Sequence, residues 1–387
     1  MDLLLHTPNV VGKLRHYYER AFKNAVELFI VTAYLTEWDD SLKLSSACRS
    51  FRVIVGKDFG ITRKAACEKI MRWLPSKRKA QFMVADRIAG FHPKAVFWKE
   101  KDGHFFAIIG SSNLTRAAFE TNYEVNLYCS VSSQDYAAGK KWVKEIEKQA
   151  VVVSEDWLKK YKEAAPVQTH LGPKSSKGKQ AGWPVVPLKL PSPPGMKERI
   201  RMRRQNLAAY AKRRAGLTRL FRRCAKGRIS SSEFFEQLPT YWSSEAGDRL
   251  QGAGWERQGK NTDFRKLSQS FLKILRAATE DRDDVVVEEI DRLADQGIAA
   301  RGAFLSEMLC LRFPEEYPVL NQPVEKYLKD VVYKAPRGAS EGVRFVDVAK
   351  KLRAALHDNP GHPAKNLAEL DTVIWLAYGK KNAGQTP

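Results

Sequence analysis

Residues 91–115 read FHPKAVFWKEKDGHFFAIIGSSNLT. Two apolar runs, AVFWKE and HFFAIIG, flank Lys101-Asp102-Gly103. Aromatic and β-branched residues on either side of a glycine-closed turn predict a β-hairpin. His92 and Lys94 stand two apart at the entry to the first run. Side chains alternate along a strand, so both project to one face and Pro93 to the other. Ser111 and Asn113 stand two apart just beyond Gly110, at the exit of the second run. An imidazole attacks phosphorus or shuttles protons near neutral pH. A lysine adds a cation, and a hydroxyl and a carboxamide add neutral donors for a phosphoryl oxygen. Brought to one point, the four side chains are the parts needed to displace an ester oxygen from a phosphodiester.

The flanking sequence supplies the rest of a domain. NVVGKLRHYYERAFKNA (9–25), ITRKAACEKIMRWL (61–74), TRAAFE (115–120) and SQDYAAGKKWVKEIEKQ (133–149) have helical spacing of apolar residues. ELFIVTAYL (27–35), FRVIVG (51–56), AQFMVAD (80–86) and EVNLYCSV (124–131) read as strands. Strands mixed with helices over residues 1–165 predict an α/β sandwich around a central sheet.

The order His-x-Lys, then Gly-Ser-x-Asn on the next strand, resembles the phospholipase D superfamily. Glu124, eleven residues beyond Asn113, stands where its nuclease branch carries a glutamate. The resemblance covers about the first 165 residues. It implies a phospholipase D-like sandwich with a central mixed β-sheet, and hydrolysis through a covalent phosphohistidine. It makes His92, Lys94, Ser111, Asn113 and Glu124 the catalytic set, with Glu124 orienting and charge-stabilising an imidazole. It calls for no metal and no cofactor. One position departs: the family's aspartate, five residues past the lysine, is Lys99 here, and Asp102 is out of register. Only one copy of the motif is present, whereas the chemistry uses two histidines. As in single-motif members, this implies a homodimer with the active site on the two-fold axis. His104 opens the partner strand, but Phe106 stands where a lysine would be, and it reads as a hairpin-edge histidine.

At 387 residues the chain is long enough for two cores. Its five cysteines, Cys48, Cys67, Cys129, Cys224 and Cys310, are odd in number and scattered without a CxxC or CxxH pair. That argues against a disulfide framework and a structural zinc site, and favours the cytoplasm. The N-terminal MDLLLHTPN is too short and poorly flanked for a secretory signal, and no apolar run approaches a bilayer's thickness. The formal net charge of +22 is unevenly spread. Residues 1–165 carry 27 basic and 19 acidic residues, 166–195 carry 4 and 0, and 196–228 carry 13 and 1. No acidic residue lies between Glu163 and Glu198. A concentrated basic block favours nucleic acid over a solvated tail or an anionic membrane, because bound phosphates release condensed counterions.

Residues 166–195 hold seven prolines and four glycines and read as a linker. Residues 196–387 read as an all-α domain, basic at its start, that binds DNA or serves as a scaffold: its first helix, 196–227, is strongly basic and is expected to break in two at Gly216. Helical spacing continues in 264–280, 285–297, 303–313, 324–332, 344–356 and 367–379. This half is loosely similar to helical modules that accompany restriction and repair proteins. Arg203, Arg204, Arg213, Arg214, Arg222 and Arg223 are the candidate nucleic-acid contacts, with DNA the expected partner.

Other residues read as structure. His357 and His362 in HDNPGH fit a loop rather than a metal site, and Asp58 in GKDFG fits a strand end rather than a cation ligand. No Walker-type loop or dinucleotide fingerprint is present. The leading expectation is a metal-independent, phospholipase D-like endonuclease that cuts DNA, with defence against foreign DNA as its setting. A phospholipase or phosphatidyltransferase of the same fold, and a non-catalytic nucleic-acid-binding protein, are the alternatives.

Overall fold

A computed structural model of the chain describes residues 1–8, 13–164, 188–243, 250 and 261–379. Of the expected linker at 166–195, only 188–195 fall among them. The chain divides into two compact units: Met1–Val186 with Ala335–Ala339, and Pro187–Lys334 with Ser340–Pro387.

The first unit is built on β1 (Asp2–His6), β2 (Ala25–Thr32), β3 (Ser50–Val55), β4 (Phe82–Val84), β5 (Lys94–Glu100), β6 (Phe105–Gly110), β7 (Glu124–Val131) and β8 (Val151–Val152). They form one sheet in the order β1-β7-β6-β5-β2-β3-β4-β8. β2, β3 and β4 run parallel and the other pairings are antiparallel, so the sheet is mixed. Its helices include α1 (Lys13–Asn24), α2 (Lys64–Trp73), α3 (Arg116–Glu120), α4 (Ser133–Lys148) and α5 (Glu155–Lys160). β3 is SFRVIV and is buried along its whole length, as expected of a strand covered on both faces. On one face, Val96, Trp98, Phe106 and Tyr128 share a core with Tyr18 and Phe22 of α1 and Cys67 and Ile70 of α2. On the other, Phe97 meets Trp142 and Phe29 meets Tyr136, both on α4. Burying each such ring is worth about 1.5–3 kcal/mol.

The hairpin forms at the expected place. β5 and β6 pair from Ala95↔Ile109 to Lys99↔Phe105, and Gly103 takes a φ of 89° in the turn. The edge strand β1 was not anticipated; its alternation buries Leu4 and His6 and leaves Leu3 and Leu5 out. α4 packs against β2, β5 and β6. On that face but beyond α4, Leu3, Leu5, Ile109 and Val125 are 64%, 70%, 50% and 50% exposed.

The second unit is helical among its described residues. α6 (Met196–Ala225) packs on α7 (Ser231–Tyr241) and on the helices Phe264–Arg276 and Leu367–Tyr378. The expected break at Gly216 is corrected: α6 runs through it unbroken. A Cβ there would lie 2.6 Å from the Tyr241 ring, so this glycine serves close packing of α7 rather than ending a helix. α7 itself went unread, although Ser230 and Glu233 form a capping box at its start. Its end is blurred by an internal Pro239. No described helix is long and apolar enough to cross a membrane.

Candidate active site

The parallel strands β2 and β3 end at the same edge of the sheet, the edge where ligands bind in open α/β folds. Antiparallel β5 begins there, with Lys94 paired to Thr32. β6 ends there at Gly110, paired to Asn126, and β7 begins there at Glu124. A Cβ on residue 110 would fall 2.3 Å from the Val125 carbonyl oxygen and 2.6 Å from Asn126 Cα. Glycine is therefore what lets β7 close onto the exit of β6 and bring Glu124 beside Ser111.

His92, exposed, immediately precedes β5. Its ring meets the edge of Tyr34, centroids 5.7 Å apart at 70°. Lys94 Nζ lies 3.0 Å from His92 Nδ1 and 3.3 Å from Nε2, and donates to the His92 carbonyl at 3.0 Å. An ammonium only donates, so a ring lone pair faces it. Burial lowers the Lys94 pKa, against a raising pull from the Glu124 carboxylate. The lysine is thus a partly desolvated cation held against the imidazole and in the field of the Glu124 carboxylate.

Asn113 is fixed through its oxygen. Its Oδ1 accepts from the Tyr34 backbone N–H at 3.1 Å and from the Thr32 hydroxyl at 3.3 Å. Thr32 Oγ1 in turn accepts the Leu114 N–H at 3.1 Å. The amide's Nδ2 is left as a donor without a partner among the described residues. Ser111 does something other than offer its hydroxyl to phosphate: that group donates to Glu124 Oε2 and accepts the Val125 N–H at 3.0 Å. Asn122 Nδ2 holds the other carboxylate oxygen, Oε1, at 3.0 Å. Glu124 is thereby clamped from two sides.

Four contributors were not legible in the sequence. Tyr34, Thr32 and Asn122 act through the contacts just described. Asp58 stands past the end of β3, opening a 3₁₀ turn (Asp58–Gly60), and its Oδ2 accepts the Phe91 N–H at 3.1 Å. It anchors the segment that carries His92. It is buried, and no partner is found for its Oδ1 among the described residues. His6, paired in register with Glu124, is also buried with an unpartnered Nε2 among the described residues.

Lys99, where the family's aspartate would stand, is outside this cluster. It lies toward the far end of β5, on the face opposite Lys94, with Nζ 5.3 Å from the Phe105 ring centroid. Its backbone pairs with Glu27 on β2. His104 is at that far end too, with Nδ1 2.9 Å from Asp102 in the exposed turn. His362 accepts the Ala364 N–H at Nδ1 and points Nε2 at the Pro191 carbonyl, 3.2 Å away. His357 is exposed beside Asp358.

The six candidate arginines all lie on α6, and its packing separates them. Arg203 is corrected out of the set: it is 6% exposed and bound to Asp371 Oδ2 and the Leu250 carbonyl, each at 3.1 Å. Its side chain sits on the inward face of α6. Arg204 is exposed but forms a two-pronged pair with Glu369, at 2.8 and 3.2 Å. Arg213 turns toward α7 and donates to the Thr240 carbonyl at 3.3 Å. Arg214, Arg222 and Arg223 remain exposed.

Residues 19–149 match the family described as cardiolipin synthase, PLD-like domain. Among solved structures, the chain is similar to NucT from Helicobacter pylori, at 17% identity over 36% of this chain and 90% of that one, with a TM-score of 0.28. No curated protein matches it.

Proposed function

We propose, on the match of residues 19–149 to a PLD-like domain and the geometry of the site, that this chain is a phosphodiesterase of the phospholipase D type and a nuclease cutting DNA through a covalent phosphohistidine on His92. The observation that carries the reading is the convergence of the His92 ring, the Lys94 ammonium and the Asn113 Nδ2, which has no partner among the described residues, at one sheet edge. A neutral His92 nitrogen attacks phosphorus; a P–N bond forms as the P–O bond to the leaving nucleoside breaks. Lys94 and Asn113 stabilise the charge that builds on the equatorial oxygens. The leaving oxygen takes a proton from a second imidazole. Water then attacks phosphorus, gives a proton back to that imidazole, and the P–N bond breaks to free a phosphomonoester.

His92 of the partner subunit is the second imidazole in this scheme. Leu3, Leu5, Ile109 and Val125 support a homodimer, because they form an exposed apolar strip on the sheet directly beside Ser111 and Glu124. Contiguous exposed apolar surface of this kind marks association sites. A two-fold axis through that strip would set two sites side by side.

The family description names a phospholipid enzyme, so the test has two arms. Purified protein is incubated in EDTA with supercoiled plasmid and, separately, with phosphatidylcholine vesicles. Nicking of plasmid by the wild type and none by His92→Ala supports the nuclease reading. Lipid hydrolysis without nicking, or neither reaction, overturns it.

A further inference from the structure

α6 carries a row of side chains that nothing in the catalytic reading uses. Positions 197, 201, 204, 208, 212, 215, 219, 222 and 226 follow one another at steps of three or four residues. Such steps average one helical turn, so the nine positions run straight along a single face. All nine are exposed. Three of the first four are Lys197, Arg201 and Arg204; the rest alternate Lys212, Ala215, Arg219, Arg222 and Lys226 after Ala208. No acidic residue interrupts the row. Arg201 pairs with Glu198 and Arg204 with Glu369, which neutralises two of the first three cations. Lys212, Arg219, Arg222 and Lys226 have no carboxylate at ion-pair distance among the described residues. Like charges three and four residues apart repel along a helix, so the fold itself gains nothing from this arrangement.

We propose that this face of α6 is a rail for the phosphate backbone of duplex nucleic acid. The 30-residue helix is about 45 Å long, and the unpaired cations Lys212, Arg219, Arg222 and Lys226 cover about 21 Å of its C-terminal half, one every ~7 Å on average, a spacing suited to neutralising successive phosphates. Duplex is chosen over single strand for a reason of chemistry. Single-strand binders stack bases on exposed aromatic rings beside their cations. The aromatic residues of α6, Tyr210 and Phe221, are both buried in the helical core. The rail therefore offers charge without a stacking platform. It deepens the nuclease reading by naming the substrate's form, and rests on that reading only for its biological use.

The experiment measures binding rather than cleavage, so the two can fail separately. Full-length protein carrying His92→Ala is titrated with a fluorescent blunt duplex from ~50 to ~200 mM salt. The rail variant adds Lys212→Gln, Arg219→Gln, Arg222→Gln and Lys226→Gln; the control adds Arg276→Gln, Lys326→Gln, Lys329→Gln and Lys334→Gln, which are exposed cations elsewhere in the same unit. Circular dichroism confirms that both stay folded. Each lost phosphate contact flattens the log–log salt slope by about 0.9, so the rail variant should lose roughly three to four units and the control less than about one. An oligo(dT) with the same number of phosphates should bind about tenfold more weakly than duplex. Equal slope changes in the two variants would reduce the rail to net charge and overturn it. Equal binding of oligo(dT) would overturn the duplex assignment. An unchanged duplex slope with lost binding to phosphatidylglycerol vesicles would overturn it in favour of a lipid surface.

Discussion

Asn113→Asp separates the chemical role of this residue from its structural one. In the native protein, Oδ1 accepts two hydrogen bonds, from Tyr34 N–H at 3.1 Å and Thr32 O–H at 3.3 Å, while Nδ2 is presented outward. A carboxylate of the same shape keeps both acceptor bonds, so the strand ends should hold and urea unfolding should stay close to wild type. What changes is the outward atom: a donor becomes an anion facing a phosphoryl oxygen. Losing one transition-state donor costs on the order of 10²–10³ in rate. Like charges at ~4 Å in a partly screened site add a repulsion of up to about 4 kcal/mol, a further loss that Lys94 moderates. Asn113→Ala loses only the donor's share of rate, but strands the Tyr34 N–H and costs about 1–3 kcal/mol of stability. The two variants should therefore rank in opposite order: Asp more stable and less active, Ala less stable and more active. Single-turnover cleavage of a saturating duplex in EDTA, beside urea unfolding, reads both quantities. An aspartate variant cleaving within about threefold of wild type would refute the placement of phosphate against Nδ2.

Restoring the family's aspartate by Lys99→Asp should change turnover by less than about twofold, because position 99 is ~20 Å along β5 from His92 and on the opposite face. A large gain in single-turnover rate would contradict that. Gly110→Ala should lower the thermal midpoint and abolish cleavage together, since its Cβ would collide with the β7 backbone between Ser111 and Glu124; a stable, active variant would show that the strands are free to part. In the helical unit, burial works to raise the Asp283 carboxyl, but Lys350, Arg353 and the Tyr317 hydroxyl outweigh it and hold it well below the usual range. A depressed carboxyl contributes stability that is full above its unfolded pKa and is lost as pH falls toward the folded value. Asp283→Asn should cost about 3 kcal/mol at pH 7 in urea unfolding and about 1 kcal/mol less at pH 3, where the unfolded carboxyl is mostly protonated but the folded one is still ionised; a cost unchanged at pH 3 would sink the assignment.

What the sequence reveals here depends on how local the cause is. The hairpin is legible because its two strands, its glycine turn and both half-motifs lie within 25 residues, 91–115. That adjacency also set His92 and Lys94 on one face and put Ser111 and Asn113 at the neighbouring exit. Asp58 looked like a strand ending because its partner, the Phe91 N–H, is 33 residues away and is found only by folding. Arg203 and Arg222 are indistinguishable in a basic run. The difference is Asp371, 168 residues on from Arg203, which pairs with the inward face of α6. Ser111 was assigned a phosphate because its type and position suit one, but Glu124 takes its hydroxyl first. β1 is five residues long with a single apolar alternation, too little signal to rise above a polar-flanked N-terminus.

The central claim is that His92 is the nucleophile, and the covalent intermediate tests it most directly. Protein is mixed with duplex DNA labelled with ³²P at internal phosphates, quenched in alkaline denaturant within the first turnover, digested and mapped. The expected result is an acid-labile, alkali-stable label on the peptide containing His92, present with the wild type and missing with His92→Ala. Label on another residue, or wild-type turnover with no covalent label at any time point, would contradict the mechanism.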